Sequence, residues 1–169
     1  MKKIILAVMC IFLTGCSTGI DVNEMAYVRA VAIDGNNCSF SFYLDEQVVS
    51  VSADSVESAE SAAELALGKK IFTGHTELVI LNECDERAIL EYMLSEWKAP
   101  PSCRVANGEN AGEILKNRKA EEIVGVIETA EEKGLTEKCD IVTVLGNFLN
   151  NKNGQLPLLT SKGKLQNRQ

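Results

Sequence analysis

The sequence predicts an α/β fold of the α+β kind, a mixed sheet layered with helices in the order roughly β-β-α-β-α-β-α-α-α-β. Three observations carry that expectation. An apolar extended run over 25–33 leads through turn residues into an alternating run over 38–44. The short run Leu78-Val79-Ile80-Leu81 is apolar on both faces, as a strand covered on two sides must be. Stretches with helical spacing separate these runs and follow them.

Taken in order, Tyr27, Arg29, Val31 and Ile33 alternate against Val28, Ala30 and Ala32, the pattern of a central strand. Asp34-Gly35-Asn36-Asn37 tolerates the positive φ of a tight turn, and Phe40, Phe42 and Leu44 then share one face, so the two runs read as a hairpin. Asp54 stands three residues before Glu57, like a capping box, ahead of a helical face of Val56, Ala59, Ala63, Ala66 and Leu67 that Gly68 closes. Ile71-Phe72, a break at Thr73-Gly74-His75-Thr76 and the run 78–81 follow. Ile89, Leu90, Met93, Leu94 and Trp97 then repeat at helical spacing until Ala99-Pro100-Pro101 stops them. Arg104 to Ala106 reads as a short strand. Three further helices centre on Ile114-Leu115, on Ile123, Val124, Ile127 and Ala130, and on Ile141, Leu145, Phe148 and Leu149. Asn150 to Gly154 is a loop, Leu156 to Leu159 is extended, and 161–169 is a polar, loose tail.

The first residues carry an export signal: Lys2 and Lys3, an apolar run from Ile4 to Leu13, then Thr14 and Gly15 before Cys16. That run is about half the roughly 20 residues needed to span a bilayer core. Leu13-Thr14-Gly15-Cys16 resembles the lipobox of bacterial lipoproteins, in which a diacylglyceryl group joins the cysteine sulfur before cleavage. The expected division is therefore a signal peptide at 1–15, a lipidated tether at 16–23, one domain at 24–160 and the tail at 161–169. Cys16 is the expected lipidation site, and two or more acyl chains hold a protein stably where one holds it marginally.

The whole chain carries 17 basic and 24 acidic side chains, a net charge of −7. Loss of Lys2 and Lys3 with the signal takes this to −9. Such an acidic surface argues against nucleic acid as a partner and against electrostatic adsorption to anionic lipid. Beyond Cys10 and Cys16, the cysteines Cys38, Cys84, Cys103 and Cys139 allow either two disulfides or four free thiols, and none forms a Cys-x-x-Cys pair. No Gly-rich phosphate loop, His-Glu-x-x-His metal motif or Gly-x-Ser-x-Gly elbow is present, so no enzyme, metal or cofactor is expected. His75, the only histidine, reads as part of a turn or bulge. The pairs Glu121-Glu122 and Glu131-Glu132 read as solvated surface, and Trp97 and Tyr92 as part of a packed helix.

Lys69-Lys70-Ile71-Phe72-Thr73-Gly74-His75, running into Leu78-Val79-Ile80-Leu81-Asn82-Glu83, resembles a segment of the Ger(x)C lipoproteins, the C subunits of spore germinant receptors. Ala32-Ile33-Asp34 resembles the end of that family's first strand, and Leu145-Gly146-Asn147-Phe148-Leu149 with Leu156-Pro157-Leu158 its late helix, loop and strand. The likeness covers roughly 16–160, the family's N-terminal domain. It implies a non-catalytic accessory subunit, lipid-anchored on the outer face of the spore inner membrane, that works with membrane-embedded A and B subunits in nutrient-triggered germination. The alternative is a stand-alone membrane lipoprotein that binds a small solute or envelope component.

Overall fold

The computed structural model describes residues 24–45, 47–150 and 156–166. The signal peptide, the tether and Cys16 lie outside the described residues, as does most of the loop expected at Asn150 to Gly154. Strands β1 (Ala26–Asp34), β2 (Asn37–Phe42) and β3 (Val48–Ser52) precede helix α1 (Val56–Leu67) and the short strand β4 (Ile71–Phe72). Strand β5 (Leu78–Asn82), helix α2 (Glu86–Ser95) and strand β6 (Arg104–Gly108) come next. Helices α3 (Ala111–Asn117), α4 (Ala120–Glu132) and α5 (Ile141–Leu149) and strand β7 (Leu158–Leu159) complete the domain.

The sheet is mixed, ordered β3-β2-β1-β5-β6-β7, with β4 also on β1. β1 is its centre. Antiparallel pairing joins β1 to β2 and β2 to β3, while β5, β6 and β7 run parallel to their neighbours. The hairpin turn is Gly35-Asn36, with Gly35 at φ 55°, a conformation a side chain makes costly. The expected fold class and central strand are thus present. β3 is an addition to the expected order. It alternates Val49 and Val51 with Ser50 and Ser52, but it is an edge strand with only half-buried valines.

Because side chains alternate across a strand, the register sorts the two faces. Val31, Ile33, Cys38, Phe40, Val79, Leu81 and Val105 share the face covered by α1 and α2, where Phe40 meets Trp97 at 6.2 Å between ring centres. α5 leans on α2 and β6. Ala30, Ala32, Ser39, Ala106 and Gly108 share the other face, and these small residues let α3 lie close across β1, β2, β3, β5 and β6. The fit is tight: a Cβ at Gly108 would fall 2.5 Å from Ile114 Cδ1, and one at Gly112 2.7 Å from Ser39 Oγ. α4 covers the same face further along, reached from the sheet by Arg29 and Arg104.

Several boundaries differ from the sequence expectation for local reasons. The capping box of α1 is Ser55 with Ser58, not Asp54 with Glu57: Ser55 Oγ accepts from Ser58 N at 3.1 Å, and Ser58 Oγ accepts from Ser55 N at 3.1 Å. α2 ends at Ser95, four residues before Ala99, and Trp97 lies beyond it, in a turn where Lys98 takes φ 54°. Trp97 is nevertheless core, 4% exposed, with Nε1 donating to Glu60 at 2.8 Å. The expected loose tail is tied down through residue 166: Gln166 N donates to Leu158 O at 2.8 Å, and Arg118 Nη1 donates to Gly163 O at 2.7 Å.

Candidate functional site

The least regular part of the sheet lies where β1 begins. β4 and β5 both pair with the same side of β1, at Ala26–Tyr27 and from Ala30 onward. The five residues Thr73–Glu77 are therefore set against only Val28 and Arg29, and they loop out. On its other side β1 bulges at the same place, with a register shift between Val28 and Ala30 that leaves Arg29 unpaired against β2. Thr76 closes the loop from inside, fully buried, its Oγ1 donating to Thr73 O at 2.7 Å. Glu77 N then donates to Arg29 O at 2.8 Å, which restores the ladder.

The double bulge aims Arg29 out of the strand into a cluster drawn from four distant segments. Its Nε donates to Glu77 Oε2 at 2.9 Å and its Nη1 to Glu121 Oε2, on the first turn of α4, at 2.8 Å. The guanidinium lies 4.9 Å from the centre of the Tyr43 ring. Burial alone would lower the Arg29 pKa, but the Glu77 hydrogen bond and the charges of Glu77 and Glu121 outweigh it and raise the value. Tyr43 Oη donates to His75 O at 2.9 Å, and burial, with Glu77 nearby, pushes its pKa up to about 12. Each strong donor in the cluster is thus directed at an internal acceptor. As chemistry this is a clamp that fixes the loop 73–77 to β1, β2 and α4.

His75 stands exposed on that loop, stacked on Tyr27 at 6.1 Å and edge-on to Phe72 at 5.2 Å. Gly74 packs closely against that ring, and a Cβ there would fall 2.7 Å from Phe72 Cζ and make the ring shift. Glu121 binds Arg29, and Glu122 binds Arg118 at 3.1 Å. Glu131 departs from the expected solvated surface: its side chain is 15% exposed and takes Cys139 N at 2.9 Å and Cys139 Sγ at 3.2 Å. Cys38, Cys84, Cys103 and Cys139 are free thiols, all but Cys84 buried. Burial holds Cys38 and Cys84 up at about 11, and burial with the Glu131 carboxylate holds Cys139 at about 12. None is poised as a thiolate near neutral pH.

A separate cavity of about 370 Å³ opens at the other end of β1, between Ile33, Cys38, Val56, Ile89 and Tyr92, with Asp54 and Glu57 on its wall. Among the described residues no group of three or more His, Cys, Asp or Glu side chains is placed to hold a metal, and no helix is long and apolar enough to cross a membrane. The four-part clamp at Arg29 went unread in the sequence because Glu121 lies 92 residues away. The one available signal was an arginine in the middle of an apolar strand.

The structure is thus a mixed α/β domain with a loop and a bulge at the start of its central strand, braced from within by Arg29. Residues 19–161 match the model of the spore germination protein N-terminal domain, and the chain belongs to that family. Comparisons with curated proteins and with solved structures give no match. The protein therefore has a germination-related role.

Proposed function

We propose that the protein is the lipid-anchored accessory subunit of a spore germinant receptor, held by Cys16 to the outer face of the spore inner membrane and working beside membrane-embedded A and B subunits without catalysing a reaction. The observation that carries this reading is the family match over 19–161, which takes in nearly all of the described domain. Two features support it. The net charge of −9 expected after signal removal gives the whole surface little attraction to anionic lipid, so a covalent anchor supplies the attachment. On α5, Val142 and Leu149 remain 52% and 64% exposed; seven residues apart, they fall on one helix face, which suits contact with a partner subunit.

The test is genetic. Spores lacking this chain, or carrying Cys16→Ala, should lose the nutrient response of the receptor to which it belongs and keep their response to a non-nutrient trigger. Normal nutrient germination of both strains would refute the assignment.

A further inference from the structure

We propose that the end of the domain where β1 begins is a membrane-contacting face that lies on the headgroup region of the bilayer and sets the orientation of the anchored domain. The inference rests on the lipid-anchor reading above and adds a surface to it.

Seven large hydrophobic side chains are exposed among the described residues, and four of them, Tyr43, Leu44, Leu65 and Phe72, gather at this end. Leu44 and Leu65 are 92% and 85% exposed. Backbone and ring contacts tie their segments to the start of β1. Tyr43 N donates to Tyr27 O, Tyr27 meets Phe72 at 5.5 Å between ring centres, and Ala26 N donates to Lys70 O. Leu65, Lys69 and Lys70 line one shallow groove beside it. The clamp on loop 73–77 holds this rim in shape.

The composition is that of an interfacial surface. Tyrosine, phenylalanine and histidine rings sit at headgroup level, aliphatic side chains enter the acyl boundary, and lysines stay at the phosphates. This end has carboxylates as well: Glu64 is paired with Lys70 at 2.6 Å, Glu77 and Glu121 are paired with Arg29, and Glu24 and Asp45 stand at the rim. The opposite end of the sheet carries Asp34, Glu83, Asp85 and Glu86. About 23 Å of strand, at ~3.3 Å per residue, separates it from Tyr27. An anionic leaflet repels that end more strongly than this one, where Lys69 and Lys70 offset part of the negative charge.

Chain length points to the membrane as the occupant. Glu24 begins the described domain at this rim, and eight residue steps separate it from Cys16. Eight steps reach at most about 28 Å, so the rim cannot lie far from a bilayer that holds Cys16.

Hydrogen exchange on the mature chain in vesicles of phosphatidylglycerol and phosphatidylethanolamine tests this. The natively lipidated chain is one sample. A Cys16→Ser chain held by an N-terminal polyhistidine on nickel-chelating lipid is the second. Relative to the same chain free of vesicles, exchange over 43–45 and 69–75 should slow several-fold in both samples, while 83–86 is unchanged. Leu44→Glu with Leu65→Glu, both at solvent-exposed positions, should abolish the slowing and leave the thermal midpoint in place.

Vesicle-bound protein with unchanged exchange over 43–45 and 69–75 overturns the face. So does slowing that requires a polytopic subunit in the vesicle, which would make it a protein contact. A Cys16 chain that carries no lipid and stays off vesicles defeats the anchor reading instead, and the nickel-lipid sample still decides the face.

Discussion

Arg29 shows how much one misplaced-looking residue can organise. A guanidinium in an apolar strand is costly unless it is bonded, and the bulge gives it two carboxylates and an aromatic face together. Solvent reaches Glu77 and Glu121, whose side chains are 40% and 47% exposed, which keeps each pair modest. Arg29→Ala should therefore lower stability by about 1–2 kcal/mol, most of it from the lost ion pairs and ring packing, whereas Glu122→Ala should cost under about 0.5 kcal/mol. Denaturant unfolding of the two variants would measure the difference, and equal effects would deny the clamp its role. The thiols make a second statement at this scale. Burial raises Cys38 and Cys84 from 9.0 to about 11, so their contribution to stability is full below pH 9 and lost as pH rises through about 11. The variant Cys38→Ala with Cys84→Ala should show a shallower fall in stability between pH 9 and 11 than the parent protein; parallel curves would contradict the assignment.

At the scale of elements, caps and periods decided what could be read. Ile89, Leu90 and Met93 are buried on α2 as their spacing requires, and Leu78 to Leu81 form a fully buried strand. Caps were less legible, because Asp54, Ser55, Glu57 and Ser58 offer competing boxes and only the backbone selects one. Ser55 takes the extended φ of −151° that an N-cap needs. Ser55→Ala should accordingly cost about 1 kcal/mol and Asp54→Ala nearly nothing, as thermal unfolding would show; the reverse order would restore the box expected from sequence. β3 is hard to read in the sequence in spite of its Val/Ser alternation, because an edge strand with half-buried valines looks like a loop. The end of α2 was placed late because Trp97 continues the apolar spacing, yet it is buried from a turn that needs φ 54° at Lys98. The burial of Glu131 is invisible locally, since nothing near it in the chain shows that Cys139 N will point at it.

For the whole molecule, the fold class and the family were legible, and the site was not. The strings around Lys69 to Glu83 and Leu145 to Leu158 identify a family because they are contiguous in the chain, whereas the clamp is assembled from Arg29, Tyr43, Glu77 and Glu121 and exists only once the sheet has formed. The same folding step separates an aromatic, lysine-bearing end from an acidic end along β1. Under the proposed anchoring at Cys16, such polarity would present the same faces to neighbouring molecules each time. Purification of the tagged chain from detergent-solubilised membranes of dormant spores tests the proposed membership of a membrane receptor. The chain should carry a diacylglyceryl group on Cys16 and bring polytopic A and B subunits with it. An unlipidated chain recovered from spores without membrane partners would contradict it.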